Sequence, residues 1–211
     1  MCGGYGLGGG DGRALPFGLA PMDERDSRVL LDEWMQEWRG KATTSRTRKD
    51  GRTNLNPLIW QDNAGGRRLD LAWWWLHVGG SPAKFTAFNS RDDQLVKKWR
   101  SPFQHRAILP ATWYTEGGKT WRLPGDELFG MAAIMSPRTV GTETTISYSL
   151  VTREGIGEAS TVVTSRGDSR MPLVLPRELH DEWLDPHRPG DADLVAKVQQ
   201  DTEEISRALT S

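Results

Sequence analysis

The chain of 211 residues has little cysteine: Cys2 stands alone, so no disulfide can form within the chain. Structural disulfides are typical of oxidising compartments, and we therefore expect a cytoplasmic location. The sequence also lacks a run of about 18 apolar residues, the minimum for a membrane-spanning helix. Its first residues lack the basic and apolar segments of a signal peptide. We therefore expect no membrane partner.

The chain also lacks an excess of either positive or negative charge. Lysine and arginine total 27 and aspartate and glutamate total 28, which gives a formal net charge of −1. This balance does not suit a broad footprint on duplex DNA, but it leaves room for a local basic groove. Residues 40–53 hold five basic side chains and one acidic side chain. A solvated loop is the simpler interpretation of this segment, and a phosphate contact is the functional one.

Tryptophan, by contrast, is abundant, with 10 residues, three of them consecutive at Trp73, Trp74 and Trp75. A tryptophan ring buries a large area and carries one N–H donor, so this enrichment suits a thick core, a binding surface, or both. On a regular strand, Trp73 and Trp75 would share one face and Trp74 would take the other.

Apolar periodicity predicts a helix over residues 27–39, with Asp26 or Ser27 as its cap. The residues that form its apolar face are Leu31, Trp34, Met35 and Trp38. The other elements predicted in the first half are a strand over 2–7, a glycine turn over 8–12, a loop over 40–53, a buried strand over 69–78 and a short helix over 92–100.

Between residues 105 and 164 the pattern changes to short β-type runs separated by turns, which predicts an antiparallel, barrel-like sheet. A final amphipathic helix is predicted over 190–209, with an apolar face of Leu194, Val195, Val198, Ile205 and Leu209. The fold class expected is α+β, with flanking helices around a mostly antiparallel β-barrel-like core. One domain spans 1–211, with 185–211 as a C-terminal helical tail.

Cys2 carries the most distinctive chemistry because of its position. Removal of Met1 would leave a free α-amine and a thiol on adjacent carbons, with ordinary pKa values of about 7.7–8.0 and 8.5. The amine condenses with an aldehyde to an imine, and the thiol then closes a five-membered thiazolidine ring. A ring-opened abasic deoxyribose presents such an aldehyde. From position alone, a small apolar residue near a terminus is the simpler interpretation of Cys2.

Several short segments occur in an informative order from residue 2 to about residue 184. They are Met1-Cys2-Gly3-Gly4-Tyr5, Asn54-Leu55-Asn56-Pro57, Trp74-Trp75-Leu76, Phe88-Asn89-Ser90-Arg91, Arg106-Ala107-Ile108-Leu109-Pro110-Ala111 followed by Glu116, Ser169-Arg170-Met171-Pro172 with Leu175, and Trp183-Leu184. No single segment is specific. Together, in this order and anchored by Cys at position 2, they resemble the SOS response-associated peptidase (SRAP) family.

This resemblance implies a mixed α/β fold with a β-barrel-like core and covalent attachment to abasic sites in single-stranded DNA. It assigns Cys2 as the nucleophile after removal of Met1, Asn89 as a group that holds the terminus or the sugar, and Glu116 as a general acid/base. Without the resemblance, Asn89 is more simply a turn or helix cap and Glu116 a solvated strand end. No cofactor and no metal are expected, and the protein is expected to be a monomer.

The resemblance also assigns DNA contacts. Arg91 and Arg170 would hold phosphates as bidentate donors, and Asn54 would lie at the same surface. One of the three consecutive tryptophans would stack on, or wedge beside, a base, although a tryptophan triplet is more often core.

The chain departs from the family pattern at several positions. Asp168 stands where the family has a catalytic histidine, and Gly4 replaces an arginine. Trp75 and Val78 replace a glycine and a proline. An aspartate donates a proton near neutral pH only if its pKa is raised. We therefore expect crosslink formation to persist and histidine-dependent steps, such as release, to be slow; His77 or His105 are the alternative donors.

Two other functions remain open. A thiol peptidase with an N-terminal nucleophile would use the same thiol and the same glutamate. A single-stranded DNA-binding protein without chemistry is the other alternative, and Asp168 makes it credible. The adjacent amine and thiol favour abasic-site attachment, since a peptidase needs no free amine beside its thiol.

Overall fold

A computed structural model describes residues 3–8, 18–43, 55–140, 142–164 and 167–211. Cys2 and Asn54 lie outside these ranges. So do most of the predicted glycine turn over 8–12 and residues 44–53 of the predicted basic loop.

The described residues form fourteen strands and four α-helices. The strands are β1 (Gly4–Gly6), β2 (Lys41–Thr43), β3 (Leu55–Gln61), β4 (Arg67–Trp73), β5 (His77–Val78), β6 (Ser81–Pro82), β7 (Asn89–Arg91), β8 (Arg106–Ala111), β9 (Trp113–Glu116), β10 (Lys119–Trp121), β11 (Phe129–Val140), β12 (Glu143–Glu154), β13 (Arg170–Pro172) and β14 (Val174–Leu175). The helices are α1 (Arg25–Trp38), α2 (His180–Leu184), α3 (Ala192–Asp201) and α4 (Glu203–Arg207).

Five strands close into a barrel in the order β12-β4-β3-β8-β11, with β11 pairing back to β12. Neighbours in the barrel are antiparallel except for β4 and β12, which are parallel and meet where Trp73 faces Ser147. The α+β fold with a barrel-like core, predicted from the sequence, is confirmed. The parallel pairing of β7 with β12 was not predicted, and it brings the Asn89 segment to the side of the barrel.

A second sheet, in the order β10-β9-β1-β2, holds the N-terminal strand between two partners. Tyr5 on β1 faces Tyr114 on β9 on one side and Ala42 on β2 on the other. Lys41–Thr43 was predicted to be loop and is instead this edge strand. Its partner residues lie 35 to 39 positions earlier in the chain, so this pairing leaves no local sequence signal.

Buried apolar side chains from the barrel, from α1 and from the C-terminal segment form one cluster, in which Leu194, Val198 and Leu209 have at most 1% of their surface exposed. Arg106 ties the C-terminal segment to the barrel. Its guanidinium donates to the backbone carbonyls of four residues: Phe103, Trp183, Asp185 and Arg188. Burial lowers the pKa of Arg106 to about 10, and the group stays charged at neutral pH.

The predicted helix over 27–39 is present as α1, with Leu31 and Trp34 buried and Met35 and Trp38 packed against the core. The predicted cap was wrong. The helix begins earlier, with Glu24 at the cap position and no side-chain hydrogen bond there.

Three other boundaries differ from prediction. The buried strand over 69–78 ends at Trp73, where the backbone turns and the Trp75 N–H donates to the Trp73 carbonyl. The predicted helix over 92–100 is instead a 3-10 turn at Asp92–Gln94 followed by further turns, in which Leu95 and Trp99 are buried. The last part of the β-type region predicted to extend to residue 164 is not a strand at its start: residues Gly157–Thr161 form a 3-10 turn.

The final helix over 190–209 is broken into α3 and α4 at Thr202. The Thr202 hydroxyl donates to the Val198 carbonyl and accepts a hydrogen bond of 2.7 Å from the Arg153 guanidinium. Apolar periodicity continues across this break and therefore does not indicate it.

Candidate active site and DNA-binding surface

The N-terminal strand β1 leads directly towards Cys2 and is built mainly of glycine. A Cβ on Gly6 would lie 2.2 Å from the Gly40 carbonyl oxygen and 2.4 Å from the Trp113 ring, so only glycine fits there. The Thr115 hydroxyl donates to the Gly4 carbonyl at 3.2 Å. Strand β1 is therefore packed closely against β9 and the turn after α1.

Glu116 ends β9, the strand that pairs with β1. Because Gly4 faces Thr115, continuing the antiparallel register by one residue sets Gly3 opposite Glu116. Glu116 is 7% exposed, which contradicts the simpler interpretation of a solvated strand end. Its backbone carbonyl accepts a hydrogen bond of 3.1 Å from the buried Trp121 indole, which fixes the end of the strand. The buried Glu116 thus lies opposite Gly3, the residue bonded to Cys2.

Trp74 belongs to the core. Its surface is fully buried, its ring stacks on Tyr148 at 6.1 Å with an interplanar angle of 7°, and its edge contacts Tyr5 at 4.9 Å. A base therefore has no access to Trp74. Trp73 and Trp75 are partly exposed. Trp75 donates its indole N–H to the Ala83 carbonyl at 3.0 Å, while the indole N–H of Trp73 has no hydrogen-bond acceptor among the described residues. Of the three, these two remain available for stacking.

Asn89 begins β7 and faces Leu150 on β12. The Phe88 carbonyl just before it accepts hydrogen bonds from the Trp74 indole at 2.6 Å and from the Leu150 N–H at 2.9 Å. Since Trp74 also contacts Tyr5, a continuous set of contacts joins β1 to the residue preceding Asn89. The segment before Asn89 and the N-terminal strand therefore both contact the Trp74 ring.

Arg91 is exposed and held by carboxylates. It donates to both oxygens of Asp93, at 3.0 and 2.9 Å, and its Nη1 lies 3.8 Å from the Asp168 Oδ2. The hydrogen bonds to Asp93 raise the pKa of Arg91, and those same bonds lower the pKa of Asp93. Exposed ion pairs of this type contribute about 0–1 kcal/mol, so the Arg91–Asp93 pair separates at modest cost.

Arg170, the other arginine predicted to hold phosphate, is buried. Its Nη2 donates to the Thr152 carbonyl at 2.6 Å and lies 3.5 Å from the Asp92 Oδ1. Asp92, which the sequence analysis did not single out, also accepts a hydrogen bond of 2.8 Å from Gln199. These contacts favour a structural role for Arg170, which joins β12, β13 and α3.

Asp168 closes a tight turn. The Thr164 hydroxyl donates to its carboxylate, and the Thr164 N–H donates to its carbonyl at 2.7 Å. The hydroxyl hydrogen bond is the main cause that lowers the pKa of Asp168, with Arg170 and Arg91 adding to it. Asp168 is therefore ionised at neutral pH, as is usual for an aspartate. Its carboxylate lies beside Arg91, which follows Asn89 by two residues.

A family model described as "SOS response associated peptidase (SRAP)" matches residues 24–210, nearly the whole chain. The chain belongs to the SRAP family. Membership supports a role associated with DNA damage and with binding of abasic sites in general. The matched region begins after Cys2, so the assignment of Cys2 rests on the sequence of the N-terminal segment.

Solved structures agree with the SRAP fold. A protein from Bacteroides thetaiotaomicron has a TM-score of 0.57 and 19% identity, over 79% of this chain and 76% of that chain. A protein from Bordetella bronchiseptica has a TM-score of 0.61 and 15% identity, over 99% and 97%. A phage-related protein from the same organism has a TM-score of 0.53 and 18% identity, over 74% and 76%. At these identities the likeness concerns the fold alone. No curated protein matches the chain.

His77 and His105 were the alternative proton donors considered for the position of Asp168, and the structure places both in other surroundings. The His77 ring contacts Trp73 edge-on at 5.1 Å, and its backbone N–H donates to the Ser147 hydroxyl. His105 lies at the start of β8, in a cleft with Trp60 and Met135. Burial is the main cause that lowers the pKa of each ring, so both are neutral at neutral pH.

Two further features of this SRAP chain carried no sequence signal. Tyr148 lies 143 residues from its hydrogen-bond partner Tyr5. Phe85 is 46% exposed, and the Lys98 ammonium lies 4.8 Å from its ring centroid and 4.8 Å from that of Trp99. An exposed ring with a cation beside it follows closely after the three tryptophans.

No helix in the described part of the chain is long and apolar enough to span a membrane.

Proposed function

We propose that this protein binds abasic sites in single-stranded DNA and bonds to them covalently through Cys2, after removal of Met1. The observation that carries this proposal is the pairing of β1 with β9, which sets the buried Glu116 opposite the residue bonded to Cys2. Family membership supports the class of substrate. Asn89, two residues from Arg91, supplies an amide near an exposed cation.

The covalent step balances without an external reagent. The α-amine of Cys2 adds to the C1′ aldehyde of the ring-opened sugar, and loss of one water gives an imine. The thiol then adds to the imine carbon, its proton passes to the nitrogen, and a thiazolidine ring results. The product therefore weighs one water less than protein and DNA together.

Glu116 suits the proton transfers in this sequence. A protonated carboxyl assists opening of the sugar ring and departure of water from the carbinolamine, and the carboxylate accepts the proton that the thiol releases. Asn89 provides a donor and an acceptor to hold the sugar or the α-amine. Asp168, which is ionised, stabilises the positive charge of a protonated imine.

Exposed groups in the stretch of sequence around Asn89 suit single-stranded DNA. Phe85 presents a ring face for a base, and stacking on an aromatic side chain contributes about 1–3 kcal/mol per base. The neighbouring cations are exposed: Lys84, Arg91, Lys97, Lys98 and Arg100. This local basic surface explains how a chain with a net charge of −1 attracts a phosphate backbone.

Arg91→Ala should weaken binding of single-stranded DNA and reduce its salt dependence, because one phosphate contact is lost. The slope of log K against log salt should flatten by about 0.7, the value for one phosphate on a single strand. Fluorescence anisotropy with a labelled oligonucleotide measures both effects. Arg68→Ala is the matched control, because Arg68 is also an exposed arginine paired with an aspartate, Asp62. An unchanged slope in Arg91→Ala would assign Arg91 a structural role.

Asp168→His should speed reversal of the crosslink. Reversal needs a proton donor, and an ionised aspartate is a poor one, whereas a histidine with a pKa near 6.5 donates at neutral pH. We expect release about ten-fold faster than in the native protein at pH 6, with the difference shrinking towards pH 8, because each pKa unit is a factor of ten in protonation. Transfer of conjugated protein to excess competing abasic DNA measures it. Equal reversal rates across this range would leave Asp168 only its turn-closing role.

The proposal as a whole is tested by incubating the protein with single-stranded DNA that contains one abasic site. A conjugate that survives heating on a denaturing gel is expected, and none should form with the same strand lacking the abasic site. A protein that binds the strand but forms no conjugate would be the binding protein without chemistry. Cleavage of added proteins by the same thiol, without conjugate, would support the peptidase alternative.

A further inference from the structure

We propose that the hydrogen bond between the hydroxyls of Tyr5 and Tyr148 positions the N-terminal strand for the reaction, which makes Tyr148 a positioning residue for Cys2. The two oxygens lie 2.6 Å apart in the interior. The inference rests on the proposed function and adds to it a residue outside the segments that relate the chain to its family.

The N-terminal strand has few side chains to hold it. Four of the six residues from 3 to 8 are glycines, and only Tyr5 and Leu7 carry side chains. Glycine loses more conformational freedom on ordering than any other residue. The backbone pairings to β9 and β2 hold the strand in the sheet, but Tyr5 is the one side chain within β1 itself.

Tyr148 gives Tyr5 a rigid partner. It lies on β12, a strand of the closed barrel, and it has no exposed surface; Tyr5 is 1% exposed. Trp74 packs against both rings, stacked on Tyr148 and edge-on to Tyr5. The hydrogen bond thus joins the strand that carries the nucleophile to the barrel wall through a group with little freedom to shift.

The same aromatic group also fixes the segment with Asn89. Trp74 donates to the Phe88 carbonyl at 2.6 Å, directly before Asn89. Cys2 lies three residues before Tyr5 in the sequence, so a rotation of Tyr5 displaces the terminus relative to Asn89. A displacement of about 1 Å between reacting groups can lower a rate by about 10²-fold. Tyr148 therefore acts on the reaction rate, through Tyr5, without touching the DNA.

The test is a double-mutant cycle of Tyr5→Phe and Tyr148→Phe, which remove only the hydroxyls. At saturating abasic DNA, each single variant should form conjugate about five-fold more slowly, the effect expected for loss of one hydrogen bond. The affinity for the same strand without the abasic site should stay within about two-fold. The double variant should be no slower than the singles, because all three lose the same bond.

Trp60→Phe is the control for general destabilisation. It removes a partly buried hydrogen bond of the same length, 2.6 Å, which the indole of Trp60 on β3 donates to Asp70. It should lower the melting temperature without slowing conjugate formation. Native rates in both tyrosine variants, or additive effects in the double variant, would overturn the inference. So would an equal slowing in Trp60→Phe.

Hydrogen exchange provides a measurement that does not depend on the reaction. In Tyr148→Phe, the amides of β1 should lose protection relative to those of β3 and β8. Uniform protection across these strands would refute the positioning role even if no conjugate formed. Absence of conjugate with the native protein, by contrast, would refute the proposed function, so the two failures are distinguishable.

Discussion

Cys2→Ala is expected to abolish the heat-stable conjugate with abasic single-stranded DNA while leaving reversible DNA binding intact. Alanine retains the α-amine, so an imine still forms, but without the thiol no thiazolidine ring closes and water reverses the reaction. Gel analysis after heating should show less than about 1% of the native yield, which corresponds to loss of an essential nucleophile. Anisotropy with an undamaged strand should give an unchanged affinity.

Cys2→Ser separates the two bond-forming steps. Its amine should form an imine that borohydride traps as a stable secondary amine, and without borohydride little conjugate should survive heating. If Cys2→Ala instead gave conjugate at native yield, another nucleophile would carry the reaction. A lysine would then be sought by peptide mapping of the conjugate.

Glu116→Gln is expected to have the second-largest effect. Glutamine keeps the shape of the buried side chain but neither accepts nor releases a proton, and general acid–base catalysis contributes about 10²–10⁴-fold. The rate of conjugate formation at saturating DNA should fall by about 10²-fold. Because Glu116 is buried at the end of β9, the affinity for undamaged strand should not change.

The matched control is Glu154→Gln, an exposed glutamate at the end of β12. It removes the same charge and should alter the rate by less than about two-fold, as is usual for surface substitutions. A native rate in Glu116→Gln would show that water or another group moves the protons. Equal slowing in both variants would point to net charge rather than to a catalytic carboxyl.

Local pattern was enough to predict several elements. The apolar spacing of Leu31 and Trp34 predicted α1, and the alternating runs after residue 105 predicted the strands of the barrel. The end of β4 was not predictable, because the apolar run continues through Trp74 and Leu76 while the backbone turns. Whether an apolar residue continues a strand or leaves it for the core depends on packing partners elsewhere in the chain.

The residues of the candidate site were also only partly predictable from local sequence. Asn89, Glu116 and Asp168 were found from short segments, and the structure adds burial and partners to each. The burial of Arg170 depends on Asp92, 78 residues away in the sequence, and this distant pairing changes its expected role from phosphate contact to support. Tyr148 lies in the predicted β-type region but outside the segments that resemble the SRAP family, and its partner Tyr5 is 143 residues away in the sequence.

The most direct measurement of the central claim is the intact mass of the native protein before and after reaction with an abasic oligonucleotide. Before reaction, the main species should have the mass of residues 2–211, without Met1. Afterwards, it should have the mass of that species plus the oligonucleotide, less one water, with the modification mapped to Cys2. A main species that retains Met1 would contradict the account. So would a conjugate whose modification maps to another residue.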